Sequence, residues 1–154
     1  MKIIPIGLLA LLLAPTVLGQ TVSPCDPANP AQVRLQVAVS GMRSGDGNMV
    51  VTIYPDDAAH FLDGKYKLAR QTVPVTRPVT KLCFGFDKPG FYAVALFHDE
   101  NANGHLDTNF LGIPTEGAGF SRNPTLYVGP PSLDQVRVEA HAGDNPIPVE
   151  LKFY

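Results

Sequence analysis

Apolar and polar residues alternate with a period of two along most of the chain, a pattern typical of β-strands with one buried face. The clearest case is the first, where four apolar residues from Val33 to Val39 alternate with polar or small ones. Clusters of Gly, Pro, Asn and Asp separate the alternating segments at short spacing. Seven strands are predicted, at 33–39, 49–54, 68–75, 80–86, 91–97, 133–140 and 147–153.

Helical periodicity is nearly absent. Segment 55–62 predicts one short helical turn, because Pro55 stands at its start and two Asp residues follow it.

Segment 91–97 is apolar on both faces, which is typical of a strand in the middle of its sheet. The aromatic residues of that segment are therefore predicted to lie in the core. They are Phe91, Tyr92 and Phe97.

The predicted strands define an all-β fold. Their number and the short turns favour an antiparallel β-sandwich of about seven strands with Greek-key connections, immunoglobulin-like or transthyretin-like. A single domain is expected over 32–154, after an irregular, Pro-rich lead-in at 20–31. The chain has 154 residues, which is the length of one domain.

Composition excludes several classes of function. Only 12 residues are Lys or Arg and the formal net charge is -2, so a generic electrostatic nucleic-acid binder is excluded. A hydrophobic fraction of 45% provides enough apolar residues for a packed core. Two Cys are too few for a disulfide-dense miniprotein or a four-cysteine zinc module.

Residues 1–19 are typical of a secretory signal peptide. Lys2 supplies a positive start, and the uncharged run Ile3–Leu18 follows. This run is short for a membrane span and Pro interrupts it twice, which disfavours the alternative of an N-terminal anchor. A lipoprotein is disfavoured because Cys25 follows a Pro. Cleavage is predicted after Gly19, giving a secreted or periplasmic chain with no membrane span in its mature part.

An exported chain with two cysteines predicts one disulfide, Cys25–Cys83. A disulfide that closes a loop as long as the segment from Cys25 to Cys83 stabilises a fold by about 4 kcal/mol in the chain-entropy model. The alternative is a reactive thiol, which needs a nearby His or Lys to lower its pKa. Cys83 instead lies between Leu82 and Phe84 in an apolar strand, so a structural role is favoured.

The segment 98–132 lacks a strand pattern, and long loops of this kind often carry function. It begins with the spacing D-x-N-x-N-G, which is typical of calcium loops because alternate oxygen-bearing side chains point inward. Gly104 permits the sharp turn that such a loop requires. The candidate calcium ligands are Asp99, Asn101, Asn103, His105 through its carbonyl, Asp107 and Glu116.

The loop departs from the calcium pattern at its twelfth position. Phe110 stands where a bidentate Glu belongs, so either Glu116 reaches in from the downstream segment or the site is incomplete. With two Asn in place of Asp, the predicted affinity is weak, with a Kd of about 10⁻⁴–10⁻³ M. The alternative is a metal-free loop that its own side-chain-to-backbone hydrogen bonds hold together.

The stretch from Tyr92 to Ser121 contains two blocks, HDENxNGxLD and GxPxEGxGFS. Through them the chain resembles the bacterial family called domain of unknown function 2141, over most of its mature length. The resemblance implies an exported β-sandwich and assigns no activity. It also implies that the two blocks act as one unit, with Glu116 closing over the acidic loop.

Two chemical alternatives use the same segment. His98, Asp99 and Ser121 are the residue types of a hydrolase triad, but Ser121 lacks the flanking Gly of a nucleophile elbow. Adjacent residues in an extended segment also point to opposite faces, which separates His98 from Asp99. A zinc site using His98 and His105 is the second alternative.

Aromatic residues in the loop predict a contact surface. Phe120 and Tyr127 are the aromatic side chains expected to be exposed there. Together with the Gly-rich stretch they predict a patch at 98–128 for an unidentified protein, peptide or glycan. The sequence therefore favours a non-catalytic binding or accessory module with a calcium-organised loop, and a small secreted hydrolase is the alternative.

Overall fold

A computed structural model describes residues 22–154, which fold almost entirely into β-strands. The signal peptide predicted at 1–19 lies outside the described residues. In chain order the strands are β1 (Val22–Ser23), β2 (Val33–Ser40), β3 (Asn48–Pro55), β4 (Ala69–Pro74), β5 (Thr80–Phe86), β6 (Gly90–Asp99), β7 (Ala118–Phe120), β8 (Val138–Ala140) and β9 (Gly143–Glu150). The helix in the described range is α1 (Leu133–Val136).

The strands form two sheets that pack face to face. The first sheet has the order β1-β5-β2-β9, and the second has the order β4-β3-β6-β7 with β8 also paired to β6. All pairs are antiparallel except β2 with β9, which is parallel. The predicted all-β sandwich is confirmed, with nine strands in the described residues rather than about seven. Greek-key connectivity stays a prediction.

The core lies between the sheets and follows the alternation of the sequence. β6 has neighbours on both sides, as its apolar pattern predicts. Tyr92 is buried and Phe97 is half-buried, but the prediction for Phe91 is wrong. Phe91 lies on the outer face, where the Arg137 guanidinium covers its ring at 5.1 Å. The inward residues include Val33, Leu35, Val37 and Val39 of β2, Met49, Val51 and Ile53 of β3, and Val94 and Leu96 of β6.

The strand predicted at 133–140 is instead α1 followed by β8. The Ser132 amide donates a hydrogen bond to Gln135 Oε1 at 2.9 Å, which is half of a capping box and starts a helix. Leu133 and Val136, three residues apart, then bury the same helical face. A spacing of three places these two residues on opposite faces of a strand and on one face of a helix, so the spacing and the cap both favour the helix.

The helical turn predicted at 55–62 is also absent, and hydrogen-bonded turns take its place. The Asp57 carboxylate lies 2.6 Å from His60 Nδ1, and this hydrogen bond holds the pKa of Asp57 below its usual value. The His60 ring in turn stacks on Tyr66 with centroids 3.7 Å apart. These side-chain contacts fix a turn conformation that does not continue into a helix.

Three further boundaries differ from the prediction. The strand predicted at 147–153 begins earlier, as β9, since an edge strand accepts Pro at positions whose amides face away from the partner. The short strand β7 lies inside the segment predicted to lack strands. At the other end of the chain, β1 lies within the predicted irregular lead-in and pairs with β5.

The lead-in covers the outer face of the first sheet. The predicted disulfide is confirmed, and it joins Cys25 to Cys83 with 5.9 Å between their Cα atoms. Arg34 donates to the carbonyls of Asp26 and Asn29, at 3.1 and 2.8 Å. The outer face of the second sheet is covered differently. One end packs against α1, Phe61 and Leu62, and the other end faces the long loop.

Candidate ligand-binding groove and its acidic loop

The acidic loop, residues 99–107, begins where β6 ends. Asp99 is buried, and its two carboxylate oxygens accept hydrogen bonds from the Asn103 and Gly104 amides at 3.0 and 2.8 Å. Gly104 has a φ of +83°, a conformation that side-chain-bearing residues rarely adopt. Asp99 therefore closes the loop on itself through the turn that Gly104 permits.

Glu116 ties the two ends of the acidic loop together. Its Oε1 accepts the Glu100 amide at 2.8 Å, and its Oε2 accepts the Asp107 amide at 3.0 Å. The carboxylate is buried, and it satisfies two backbone donors sixteen and nine residues away in sequence. Glu116 thus reaches back to the loop from the downstream block, and the two blocks meet in one structural unit.

The remaining candidate ligands form a hydrogen-bonded group at the loop surface. Asn101 and Asn103 each accept the amide two residues further on, at 3.1 and 2.8 Å, through their side-chain oxygens. Their side-chain nitrogens donate to the Asp107 carboxylate, at 2.6 Å from Asn101 and 3.0 Å from Asn103. His105 is exposed and presents its backbone to the same loop.

This donor set fits calcium better than zinc. Within residues 22–154, no three side chains of His, Cys, Asp or Glu gather closely enough to hold a metal ion. A cation here would need oxygens from Asn side chains and the backbone as well, a mixed set that calcium accepts and that zinc does not prefer. The calcium site stays a prediction.

His98 lies in the core beneath the loop and is fully buried. Its Nε2 donates to the Asp46 carbonyl at 2.7 Å, and this bond fixes the tautomer because a carbonyl oxygen only accepts. No atom among the described residues donates to Nδ1. The imidazole therefore anchors the turn before β3 to the start of the loop.

Ser121 is also a structural residue here. Its Oγ accepts the Val94 amide at 3.0 Å and donates to the Val136 carbonyl at 2.5 Å. Ser121 aligns with Val94 on β6, four residues from His98, which is about 13 Å along a strand. The structure does not bring Ser121 to an imidazole as a hydrolase triad requires, and no observation favours the hydrolase.

Two residues in the connection between β2 and β3, Arg43 and Gly47, also contact the acidic loop. Arg43 pairs with Glu100 at 2.7 Å and donates to the Thr115 carbonyl at 3.0 Å. Gly47 lies so close that a Cβ on it would be 2.0 Å from the Asp99 carbonyl oxygen. Only glycine fits at this contact between the turn and the loop.

A groove of about 880 Å³ lies between the outer face of the second sheet and two loop segments, 104–114 and 126–130. Ala95 of β6 faces the groove, and its small side chain leaves space between the sheet and the loop. Tyr54 and Leu62 form the wall toward α1. The volume is in the range of small-molecule sites, about 300–1,000 Å³.

The tips of both loop segments expose large apolar side chains. Phe110 and Val128 are each 95% exposed, and Tyr127 is 92% exposed, as predicted for that residue. Phe120 is half-buried in the groove wall, because it also packs against the α1 cluster. The patch predicted at 98–128 includes Phe110 and Val128, but the sequence analysis singled out only Phe120 and Tyr127, although apolar residues within a turn-rich loop were a signal for the other two.

The sequence analysis did not predict Arg70 and Thr52, two polar residues that line the groove. Arg70 of β4 donates from its Nε to Thr52 Oγ1 at 2.9 Å and lies near Tyr54. Burial raises the pKa of Tyr54, and the neighbouring Arg70 charge opposes part of that rise. The sequence could not predict this pairing, since it depends on the register of β3 with β4.

Comparison with curated proteins and with solved structures finds no match to this chain. A family model, described as an uncharacterized protein conserved in bacteria, matches residues 37–148. That range includes most of both sheets, the acidic loop and every residue that lines the groove except Tyr154, and it agrees with the resemblance that the two sequence blocks indicate. The chain therefore belongs to the bacterial family called domain of unknown function 2141, DUF2141.

Proposed function

We propose that this chain is an exported, non-catalytic binding module whose ligand occupies the groove on the outer face of the second sheet. The observation that carries the proposal is the ring of exposed apolar side chains around a concave apolar surface. Exposed apolar patches of this kind mark interaction sites in soluble domains, and concave ones are typical of ligand sites. The acidic loop positions one side of the groove.

The rigidity of the loop supports a binding role. Leaving Phe110, Tyr127 and Val128 in water is unfavourable compared with burying them, by about 1.5–3 kcal/mol for each side chain. The loop nevertheless holds Phe110 outward, because Glu116 fixes the Asp107 amide and Asn109 Oδ1 accepts the amides of Leu111 and Ile113. A ligand that covers these side chains recovers that free energy without first ordering the loop.

Two features support export to the periplasm or the outside of the cell. The N-terminal segment has the pattern of a signal peptide, and the Cys25–Cys83 disulfide is typical of oxidising compartments. Separately, among residues 22–154 no helix has the length and apolar character needed to cross a bilayer.

The proposal includes a calcium ion in the acidic loop. Asp99, Asn101, Asn103, Asp107 and Glu116 supply side-chain oxygens within one short loop, and His105 supplies a carbonyl. The ion would add rigidity to a loop that hydrogen bonds already organise. Binding would be weak, because the Asp99 and Glu116 carboxylates already accept two amides each.

Thermal melting tests the ion. We expect millimolar calcium to raise the Tm relative to chelator, with magnesium giving a smaller rise. The increase should disappear in Asp107→Asn, which keeps the size of the side chain and removes the charge. Asp134→Asn, at an exposed acidic residue on α1, is the matched control. Equal melting with and without calcium would remove the ion from the proposal and leave the groove unaffected.

Binding of a neutral apolar dye tests the groove. We expect Nile red to bind with enhanced fluorescence, and Ala95→Leu to weaken its affinity about tenfold by filling the groove. The matched control is Ala38→Leu, which places the same side chain on the outer face of the first sheet, where Ala38 pairs with Lys81. Absence of dye binding, or equal effects of the two substitutions, would contradict the proposal.

A further inference from the structure

The groove contains one permanent charge. Among the described residues that line it, Arg70 is the only Lys, Arg, Asp or Glu, and most of the other side chains are apolar. Arg70 is held against the floor by its hydrogen bond to Thr52 and by its contact with Tyr54. A guanidinium carries five donors in a fixed plane, and its bond to Thr52 uses only the Nε donor.

Arg70 is exposed and forms no ion pair with a carboxylate of residues 22–154. Arg77 and Arg122 also lack such a pair, but neither of them lines the groove. The nearby acidic side chain that acts on Tyr54 is Asp63, which accepts the Lys65 amide. The Arg70 guanidinium is therefore available for a charge-assisted hydrogen bond to an anionic ligand in the groove.

We infer that the groove binds a long-chain monocarboxylate, with the chain along the apolar floor and the carboxylate paired with Arg70. This inference rests on the proposed function and adds the chemical class of the ligand. A single guanidinium balances a single negative charge and matches the two oxygens of a carboxylate. The apolar chain would lie over Ala95 and beneath the tip residues, covering Leu111 and Tyr127.

The groove does not suit a peptide or a glycan as well. A peptide brings an amide and a carbonyl with every residue, and a glycan brings several hydroxyl groups. Burying such groups without hydrogen-bond partners is unfavourable. The apolar lining offers few partners, and Arg70 and Thr52 already hydrogen-bond each other. A ligand with one polar end and an apolar body avoids this cost.

A membrane surface is also a poorer fit than a free monocarboxylate. Docking to an anionic bilayer usually involves several Lys or Arg residues around the inserted side chains. The tips at 108–114 and 124–131 contain no charged residue. The single cation of the site lies instead on the floor of the groove, away from the exposed ends of Phe110 and Val128.

Competition against Nile red tests the inference, using the protein with its disulfide intact. The competitors are decanoate and 1-decanol, which share an alkyl chain and differ in the charge of the end group. We expect decanoate to bind about tenfold more tightly than 1-decanol, as one charge-assisted pair predicts. Arg70→Gln should abolish this preference while leaving 1-decanol unchanged, and Arg70→Lys should retain part of it. The control is Arg77→Gln, at an exposed arginine outside the groove.

The outcomes separate the two proposals. If Nile red binds but decanoate has no advantage, or if Arg70→Gln keeps the advantage, the monocarboxylate is wrong and the groove remains. If Nile red does not bind, both proposals fail. Co-sedimentation with vesicles of phosphatidylcholine and phosphatidylglycerol completes the test. Capture of the protein by these vesicles without added decanoate would assign the apolar tips to a membrane and overturn the inference.

Discussion

The two sheets of the sandwich share one core but have different outer faces. On the first sheet, β2 and β9 present Arg34, Gln36, Pro146 and Pro148, and the disulfide-linked lead-in covers the Arg34 end. On the second sheet, β3 and β6 present aromatic and small apolar residues, which α1 covers at one end and the loop overhangs at the other. The groove of about 880 Å³ lies between the outer face of the second sheet and its cover.

This difference shows how one sandwich can separate stability from binding. The first sheet closes its outer face with a covalent bond and an arginine bonded to backbone carbonyls. On the second sheet, the small side chain of Ala95 faces a groove beneath the loop. We therefore expect substitutions on the first sheet to change stability and those around the groove to change binding. Four predictions test this separation.

The largest effect is expected from removing the disulfide. The double substitution Cys25→Ser with Cys83→Ser opens a loop with a sequence separation of 58 and should lower the free energy of unfolding by about 4 kcal/mol. Urea unfolding measures this loss. Under native conditions the Nile red affinity should stay unchanged, because the lead-in covers the opposite sheet. A parallel loss of dye binding in the folded protein would break the separation.

Glu116→Ala should have the next largest effect. It leaves the Glu100 and Asp107 amides without their acceptor and should cost about 2 kcal/mol. Hydrogen exchange at these two amides should accelerate, and Nile red affinity should fall because the loop loses its position. The control is Glu150→Ala, which removes an exposed pair with Lys152 and should cost less than about 0.5 kcal/mol. Equal costs for the two variants would contradict the role of Glu116.

Polar substitutions at the tips should change binding without changing stability. Tyr127→Ser and Val128→Ser each remove an exposed apolar side chain and should shift the free energy of unfolding by less than about 0.5 kcal/mol. Each should weaken Nile red binding about fivefold, as loss of apolar contact predicts. Val22→Ser, at an exposed apolar residue of the first sheet, should leave dye binding unchanged. A similar loss in that variant would indicate that the dye binds nonspecifically.

The smallest effect concerns Tyr54 at the wall of the groove. Burial raises its pKa above the usual 10.0, so the fold favours the neutral phenol. The resulting stability is fully present below pH 10 and is lost as pH rises through the raised pKa. Burial also raises the pKa of Tyr154, so ultraviolet titration should show two late-ionising tyrosines, of which Tyr54→Phe removes one and Tyr154→Phe removes the other. A titration that Tyr54→Phe leaves unaltered would contradict burial at this wall.

Local pattern in the sequence predicts the fold well where burial is one-sided. The alternation on either side of Leu35 in β2 is sufficient to predict a strand and its buried face. The alternation of Val136, Val138 and Ala140 extended the predicted strand too far toward Leu133, where Ser132 with Gln135 starts a helix instead. Pro146 and Pro148 similarly made the start of β9 hard to predict, because Pro disfavours a strand in general but is tolerated on an edge strand.

The acidic loop was predictable as a unit, and the groove was not. The spacing from Asp99 to Asp107 and the return of Glu116 are properties of nearby sequence, so the blocks that carry them are recognisable. The groove instead requires Arg70, Ala95 and Tyr127 to meet across the fold. Their proximity follows from strand register and from the path of the loop, which no local pattern specifies.

Amide chemical-shift mapping during titration with decanoate tests the central claim most directly, because it locates the ligand on one sheet or the other. We predict saturable shifts concentrated at Ala95, Leu111 and Tyr127, with the amides of Gln36 and Ala38 on the first sheet unchanged. Shifts that spread evenly over both sheets, or that concentrate on the first, would contradict a ligand-binding groove on the second sheet.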